Sequence, residues 1–199
     1  TSREYFKFTL LPEYSIETSA NEKFILKAGA TFDDTNRNSS QVSPVFRIIR
    51  QKTIDDSYSE TYLGYSQSSQ VVGYTAIGGN DTGGLFRSNH SLGRETSETI
   101  EIGHYLETDE WKINSSIFYR WDDDLTDWTY FAGDVNRTAN PVDTKTLGFE
   151  LIGSRTWKNF EAIASYSYLK KKEDYKKPDF VGSFYALNYP EHRVTLGVK

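Results

Sequence analysis

Cysteine and methionine are both missing from the 199 residues. Without cysteine there is no disulfide framework, no thiolate metal site and no cysteine nucleophile, and the redox state of the compartment leaves no trace. Histidine occurs only 3 times, and none of His90, His104 and His192 has another histidine or an acid at a metal-ligand spacing, so no metal site is expected from them. No run approaches the roughly 18 consecutive apolar residues that a membrane-spanning helix requires. A general nucleic-acid surface is not expected either, because the formal net charge is −5. The short basic runs Lys170-Lys171-Lys172 and Lys176-Lys177 are interrupted by acids and read as solvated loop. An initiator methionine and a charged-then-apolar leader are absent, so the leader of an exported protein is expected to lie outside this sequence.

Catalytic chemistry has no visible carrier. Ser43 precedes Pro44 without a glycine elbow, and Gly78-Gly79 and Gly83-Gly84 are not followed by a helix whose N-terminus would hold a phosphate. Asp122-Asp123-Asp124, with Asp127, offers carboxylate oxygens to calcium but lacks the glycine and terminal glutamate of a helix-flanked calcium loop, so it reads as solvated loop. Neither an enzyme nor a cofactor is expected.

Aromatic residues are plentiful, with 14 Tyr and 12 Phe, and they fall in a pattern of period two, the mark of strands with differently solvated faces. Phe6, Phe8, Leu10, Tyr14 and Ile16 oppose Lys7, Thr9, Glu13, Ser15 and Glu17, with Pro12 expected at a bulge. Phe24, Leu26, Ala28, Ala30 and Phe32 oppose Lys23, Lys27, Thr31 and Asp33. Trp111, Ile113, Ile117, Tyr119 and Trp121 oppose Lys112, Asn114, Ser116 and Arg120. Similar stripes run through Ile100 and Ile102, Leu147 to Leu151, Phe160 to Tyr168, and Val194 to Val198. Phe118, Ile152, Ile163 and Leu169 fall on the wrong face.

Short joints near 19 to 23, 52 to 58, 108 to 111 and 155 to 159 alternate with long polar connections at 34 to 43, 69 to 97, 122 to 145 and 170 to 192. Between antiparallel neighbours this gathers every long loop at one end, as in outer-membrane barrels with short periplasmic turns. Trp111, Tyr119, Trp121, Tyr166 and Tyr168 fit interfacial girdles. The expectation is all-β: an antiparallel transmembrane β-barrel segment of about nine strands, without internal repeats. A soluble β-sandwich is disfavoured, since it would spread its loops over both ends.

The stretch Ser88 to Gly103, SNHSLGRETSETIEIG, resembles a recurring loop-to-strand segment of TonB-dependent receptors, N-P-x-L-x-P-E-T-x-x-x-x-E-x-G. Asn89, Leu92, Glu95, Thr96, Glu101 and Gly103 match in register, while His90 and Arg94 replace the two usual prolines. Glu101 is expected to face the lumen, and Ile100 and Ile102 to face lipid. Weaker likenesses lie at Gly29 to Asp34 with Val42-Ser43-Pro44, at Tyr62 to Gln67, and at Pro190 to Leu196.

The resemblance implies a fragment of a larger barrel of about 22 strands, with residues 1–199 as partial barrel and with the plug domain, TonB-binding segment and terminal strands elsewhere. It further implies TonB-energised import of a scarce nutrient (siderophore-iron, cobalamin or a glycan) across the bacterial outer membrane. The partners would be outer-membrane lipid, the TonB complex through the plug region, and a small nutrient ligand. A passive porin-like channel and a soluble or surface carbohydrate-binding β domain are the competing functions. Tyr74, Phe86, Arg87, Trp128, Tyr130, Phe131, Arg137 and Tyr185 combine aromatic platforms with cations and are the candidate ligand contacts.

Overall fold

A computed structural model describes residues 3–79, 84–175, 180–182 and 189–199. The chain runs through β1 (Tyr5–Leu10), β2 (Glu13–Ser19), β3 (Glu22–Thr35), β4 (Asn38–Ile54) and β5 (Ser57–Val71). A single helical turn, α1 (Tyr74–Ile77), and the short β6 (Phe86–Arg87) precede β7 (Arg94–Glu107), β8 (Trp111–Phe131) and β9 (Arg137–Trp157). The chain then forms β10 (Phe160–Asp174), β11 (Phe180–Gly182) and β12 (His192–Val198). The main strands form one sheet in the order β1-β3-β4-β5-β7-β8-β9-β10-β12, with β2 continuing the line of β1 against β3. All these neighbours are antiparallel, and the two outermost strands do not pair with each other among the described residues. This is the expected set of nine wall positions in an unclosed sheet.

The expected bulge at Pro12 is not formed. Leu10 pairs with Ala30 and Glu13 with Lys27, so the register passes through Leu11-Pro12 without an extra residue. Proline has no N–H to give to the ladder, but its carbonyl still accepts from the Ala28 amide at 3.3 Å. The adjoining backbone closes on Gly29, where any Cβ would collide with the Leu10 carbonyl. Glycine is therefore required there by close approach of another strand.

The short connections are as expected: residues 20–21, 55–56 and 158–159 join hairpins, and 108–110 join β7 to β8. Three of the expected long loops differ. The connection at 34–43 is a tight turn at 36–37, and 122–145 is mostly strand, since β8 runs to Phe131 and β9 starts at Arg137. At 170–192 the strand β10 continues to Asp174, so Lys170-Lys171-Lys172 lies in a strand and not in a loop. The reason is physical. Where a strand's faces carry polar residues, whether exposed like Lys170 and Lys172 or buried like Ser43, Asp122, Thr129 and Thr144, the apolar alternation lapses while the backbone ladder continues.

Asp122 to Asp124 is likewise not a solvated loop. Asp122 still pairs with Thr144, but Leu125 pairs with Val142, so Asp123 and Asp124 oppose the single residue Asp143 in a β-bulge. Asp124 takes φ 56 and its amide donates to Asp143 at 2.9 Å.

One face of the sheet is apolar and exposed. Cross-strand partners form a continuous row of Tyr14, Leu26, Ile48, Leu63, Ile102, Ile117, Phe149 and Tyr168. From this row the apolar stripe of β4 extends toward the long connections through Phe46, Pro44 and Val42. On β10 it extends the opposite way through Tyr166, Ala164 and Ala162, which pair with Val194, Leu196 and Val198 of β12. Between β4 and β10 the stripe's centre descends by roughly six residues over five strand-to-strand steps, about 20 Å along against about 24 Å across, a tilt of about 40°. That is the strand tilt of a membrane barrel. Trp111, Trp157 and Phe160 gather below the stripe, with Trp157 stacked on Phe160 at 4.6 Å and Arg155 over both tryptophans at 5.1 and 4.8 Å.

The opposite face carries the residues whose parity looked wrong. The Phe118 ring lies over Gly148 and the Tyr62 ring over Gly103, where an added Cβ would strike either ring. Aromatic covering of a bare strand glycine explains both the misplaced phenylalanine and the glycine beside it. Tyr62 also donates to Glu101 and lies under the Arg47 guanidinium at 3.7 Å. Glu101 thus faces the polar side while Ile100 and Ile102 are exposed on the other.

Candidate functional site

At the long-connection end, the segment between β5 and β7 folds back onto the sheet. Val72 and Ala76 bury themselves against Ala139 of β9, with Ile77, Leu92 and Trp128 packed around them. This small core fixes the segment, and β6 then adds in parallel to β9, with Phe86 opposite Arg137 and Arg87 opposite Thr138. The Arg137 amide donates to the Leu85 carbonyl at 2.7 Å.

Five of the eight candidate contacts are thereby brought together. Phe86 meets Trp128 edge-on at 5.2 Å, and the Arg137 guanidinium lies 5.4 Å from the centre of the Tyr130 ring. Arg87 donates to Asn136, whose amide nitrogen donates in turn to the Gly84 carbonyl at 3.0 Å. Phe131 ends β8, exposed, and stands opposite Phe180 in the ladder. Tyr74 stands apart, with Arg3 over its ring at 4.4 Å and Arg37 at 6.0 Å. Tyr185 lies outside the described residues. The arrangement offers exposed aromatic surface at Tyr74 and Phe86 beside guanidinium groups, a combination suited to anions carrying rings or flat chelates.

The motif residues do structural work next to this cluster. Asn89 accepts from the Ser91 amide at 3.0 Å and its hydroxyl at 2.6 Å, a turn closed by a side chain, and its own amide donates to the Ala76 carbonyl at 2.7 Å. Leu92 completes the small core. Glu95 is buried, accepting from the Gln70 side chain and from the Thr126 amide at 2.9 Å. Thr96 bridges the ladders to Ser69 and Asp123. Arg94, in place of a usual proline, pairs with buried Asp33, and donates to the Ser39 carbonyl at 2.7 Å and to Ser69 at 3.3 Å. An ion pair that reaches from β7 to β3, across β4 and β5, thus holds the segment where a fixed backbone angle would otherwise do so.

Sequence reasoning missed Asp33, Arg94 and the Asp122 network as organising groups. Asp122 accepts from Ser97 at 2.5 Å, Arg120 at 2.5 Å and Thr144 at 2.8 Å. Among the described residues no three histidine or acidic side chains converge as a metal site. Only Arg94 gave a signal, as a departure from the receptor pattern.

The profile of the family described as TonB dependent receptor-like, beta-barrel matches residues 11–199. Among solved structures, the copper transporter OprC is similar over 98% of this chain and 32% of its own, at TM-score 0.65 and 13% identity. The siderophore receptor PirA from Pseudomonas aeruginosa is similar over 84% of this chain and 32% of its own, at TM-score 0.61 and 16% identity. The likeness to both is one of fold, and the chain spans about a third of the length of each. Curated protein sequences give no match.

Proposed function

This chain belongs to the TonB-dependent receptor-like β-barrel family, and from that premise we propose that it forms part of the wall and outer loops of an outer-membrane importer driven through TonB. The observation that carries the reading is the two-faced tilted sheet, apolar and exposed on one side and polar on the other, with its folded loops at a single end. The apolar side meets lipid, the polar side lines the interior, and the loop end faces outward. Coupling to TonB is assigned to the plug region of the whole receptor. No catalytic step is assigned to it.

The cargo is a scarce nutrient held by the loop cluster. Tyr74, Phe86, Arg87, Tyr130 and Arg137 favour an anionic or ring-bearing chelate, a chemistry compatible with a ferric siderophore and with the siderophore named for one structural relative. Cobalamin and glycans are the other cargo classes. The test is growth and labelled uptake by cells expressing the intact receptor, supplied with ferric siderophore, copper, cobalamin or oligosaccharide singly, with and without TonB. Accumulation of one class that stops without TonB, while surface binding persists, is expected. Uptake that continues at the same rate without TonB would overturn the importer in favour of a passive pore.

A further inference from the structure

We propose that Lys145, Lys170 and Lys172 form a binding site for a phosphorylated lipid headgroup in the outward leaflet. The proposal rests on the reading that the apolar face meets lipid. The run Lys170-Lys171-Lys172 lies in β10, so the period of two splits it. Lys171 faces the polar side, its ammonium 5.0 Å from the centre of the Tyr189 ring. Lys170 and Lys172 share the parity of Tyr166 and Tyr168 and are exposed on the apolar side. Lys145 of β9 is exposed there too and pairs directly with Lys172, while Lys170 pairs with Leu147, one step away on the same face.

Two lysines directly opposite each other are unfavourable without a counter-charge. Among the described residues no acid forms an ion pair with any of the three. Asp143 and Asp174 oppose each other one step farther out on the same face, so an anion would enter from the membrane side, beside the lysines. The depth also fits. Lys145 pairs on its other side with Trp121, which packs edge-on to Tyr119 at 4.7 Å, and such aromatics mark the level where chains give way to headgroups. Three ammonium groups at that level, each a compact charge on a flexible stem, match a phosphate monoester.

The test uses the intact receptor in detergent, with bisphosphorylated lipid A, its dephosphorylated counterpart and inorganic phosphate as probes, and native mass spectrometry as readout. The variants are Lys145→Gln/Lys170→Gln/Lys172→Gln and, as control on the opposite face, Lys171→Gln. Retention of the bisphosphorylated lipid should fall roughly a hundredfold in the triple variant and stay unchanged in Lys171→Gln. Equal retention by the triple variant, or of the dephosphorylated lipid, would overturn the site. Displacement by inorganic phosphate would identify an anion site with no lipid component and would also overturn it. TonB-dependent uptake, measured in parallel, separates failure of the transport reading from failure of the lipid site.

Discussion

Replacing Ile117 by arginine probes the two-faced wall most sharply. Ile117 is 50% exposed on the apolar face, and its ladder partners are Ile102 and Phe149. A guanidinium there would lie between the side chains of Ile102 and Phe149 and face the proposed lipid side. Because Ile117 lies between Trp111, below the apolar stripe of β8, and Trp121 near its upper end, it sits close to the middle of the band. The expected cost is about 2 to 4 kcal/mol, or roughly 30- to 1000-fold in the folding equilibrium. Trp111 is six residues nearer the short-connection end, about 15 Å lower at a 40° tilt, beyond half of a band about 25 Å tall, so Trp111→Arg should cost only about 0 to 1 kcal/mol in transfer. Ser116→Arg places the same charge on the polar face and should cost little. The assay is reversible denaturant unfolding of the intact receptor in lipid vesicles. Equal costs at 116 and 117, or at 111 and 117, would refute the face assignment or the tilt.

Other consequences are equally concrete. Gly148→Val should destabilise by about 1 to 3 kcal/mol through collision with Phe118, and Phe118→Ala in the same chain should recover most of that loss in the same unfolding assay. Arg94→Ala leaves Asp33 buried without its ion-pair partner, an expected cost of about 3 to 5 kcal/mol. Limited proteolysis should then cut within residues 72–93 well before the barrel unfolds. Arg87→Ala should weaken ligand capture by roughly tenfold, the value of one charge-assisted bond, with barrel assembly unchanged on heat-modifiability gels. Trp128→Ala should loosen the β6 segment as well, because Trp128 packs on the small core.

The wall was legible in the sequence because burial in a barrel is local. Each strand must alternate for itself, so Leu26 or Ile117 declares its face from its immediate neighbours. The loop end was legible only in composition. Beyond the apolar band the buried positions are mostly polar, with Asp122, Asp127, Thr129, Asn140 and Thr144 shielded by one another and by the folded-back segment, so residues 122–131 and 137–145 carry no apolar alternation and read as loop although they are strand. Asp122 looked like part of a solvated acidic run, yet its partners Ser97 and Thr144 come from neighbouring strands 25 and 22 residues away. Asp33 and Arg94 are 61 residues apart, a separation at which no spacing rule operates. Phe118 looked misplaced because its reason, a bare glycine on the next strand, becomes visible only once the register is known.

Cysteine accessibility along β8 tests the central claim most directly, since these 199 residues contain no cysteine of their own. Single cysteines would be placed at Asn114, Ser115, Ser116, Ile117, Phe118 and Tyr119 of the membrane-embedded receptor and challenged with a water-soluble maleimide and a lipid-soluble one. The wall described above predicts labelling that alternates residue by residue, the even positions reacting with the water-soluble reagent and the odd positions with the lipid-soluble one. Uniform labelling of all six by the water-soluble reagent would contradict it.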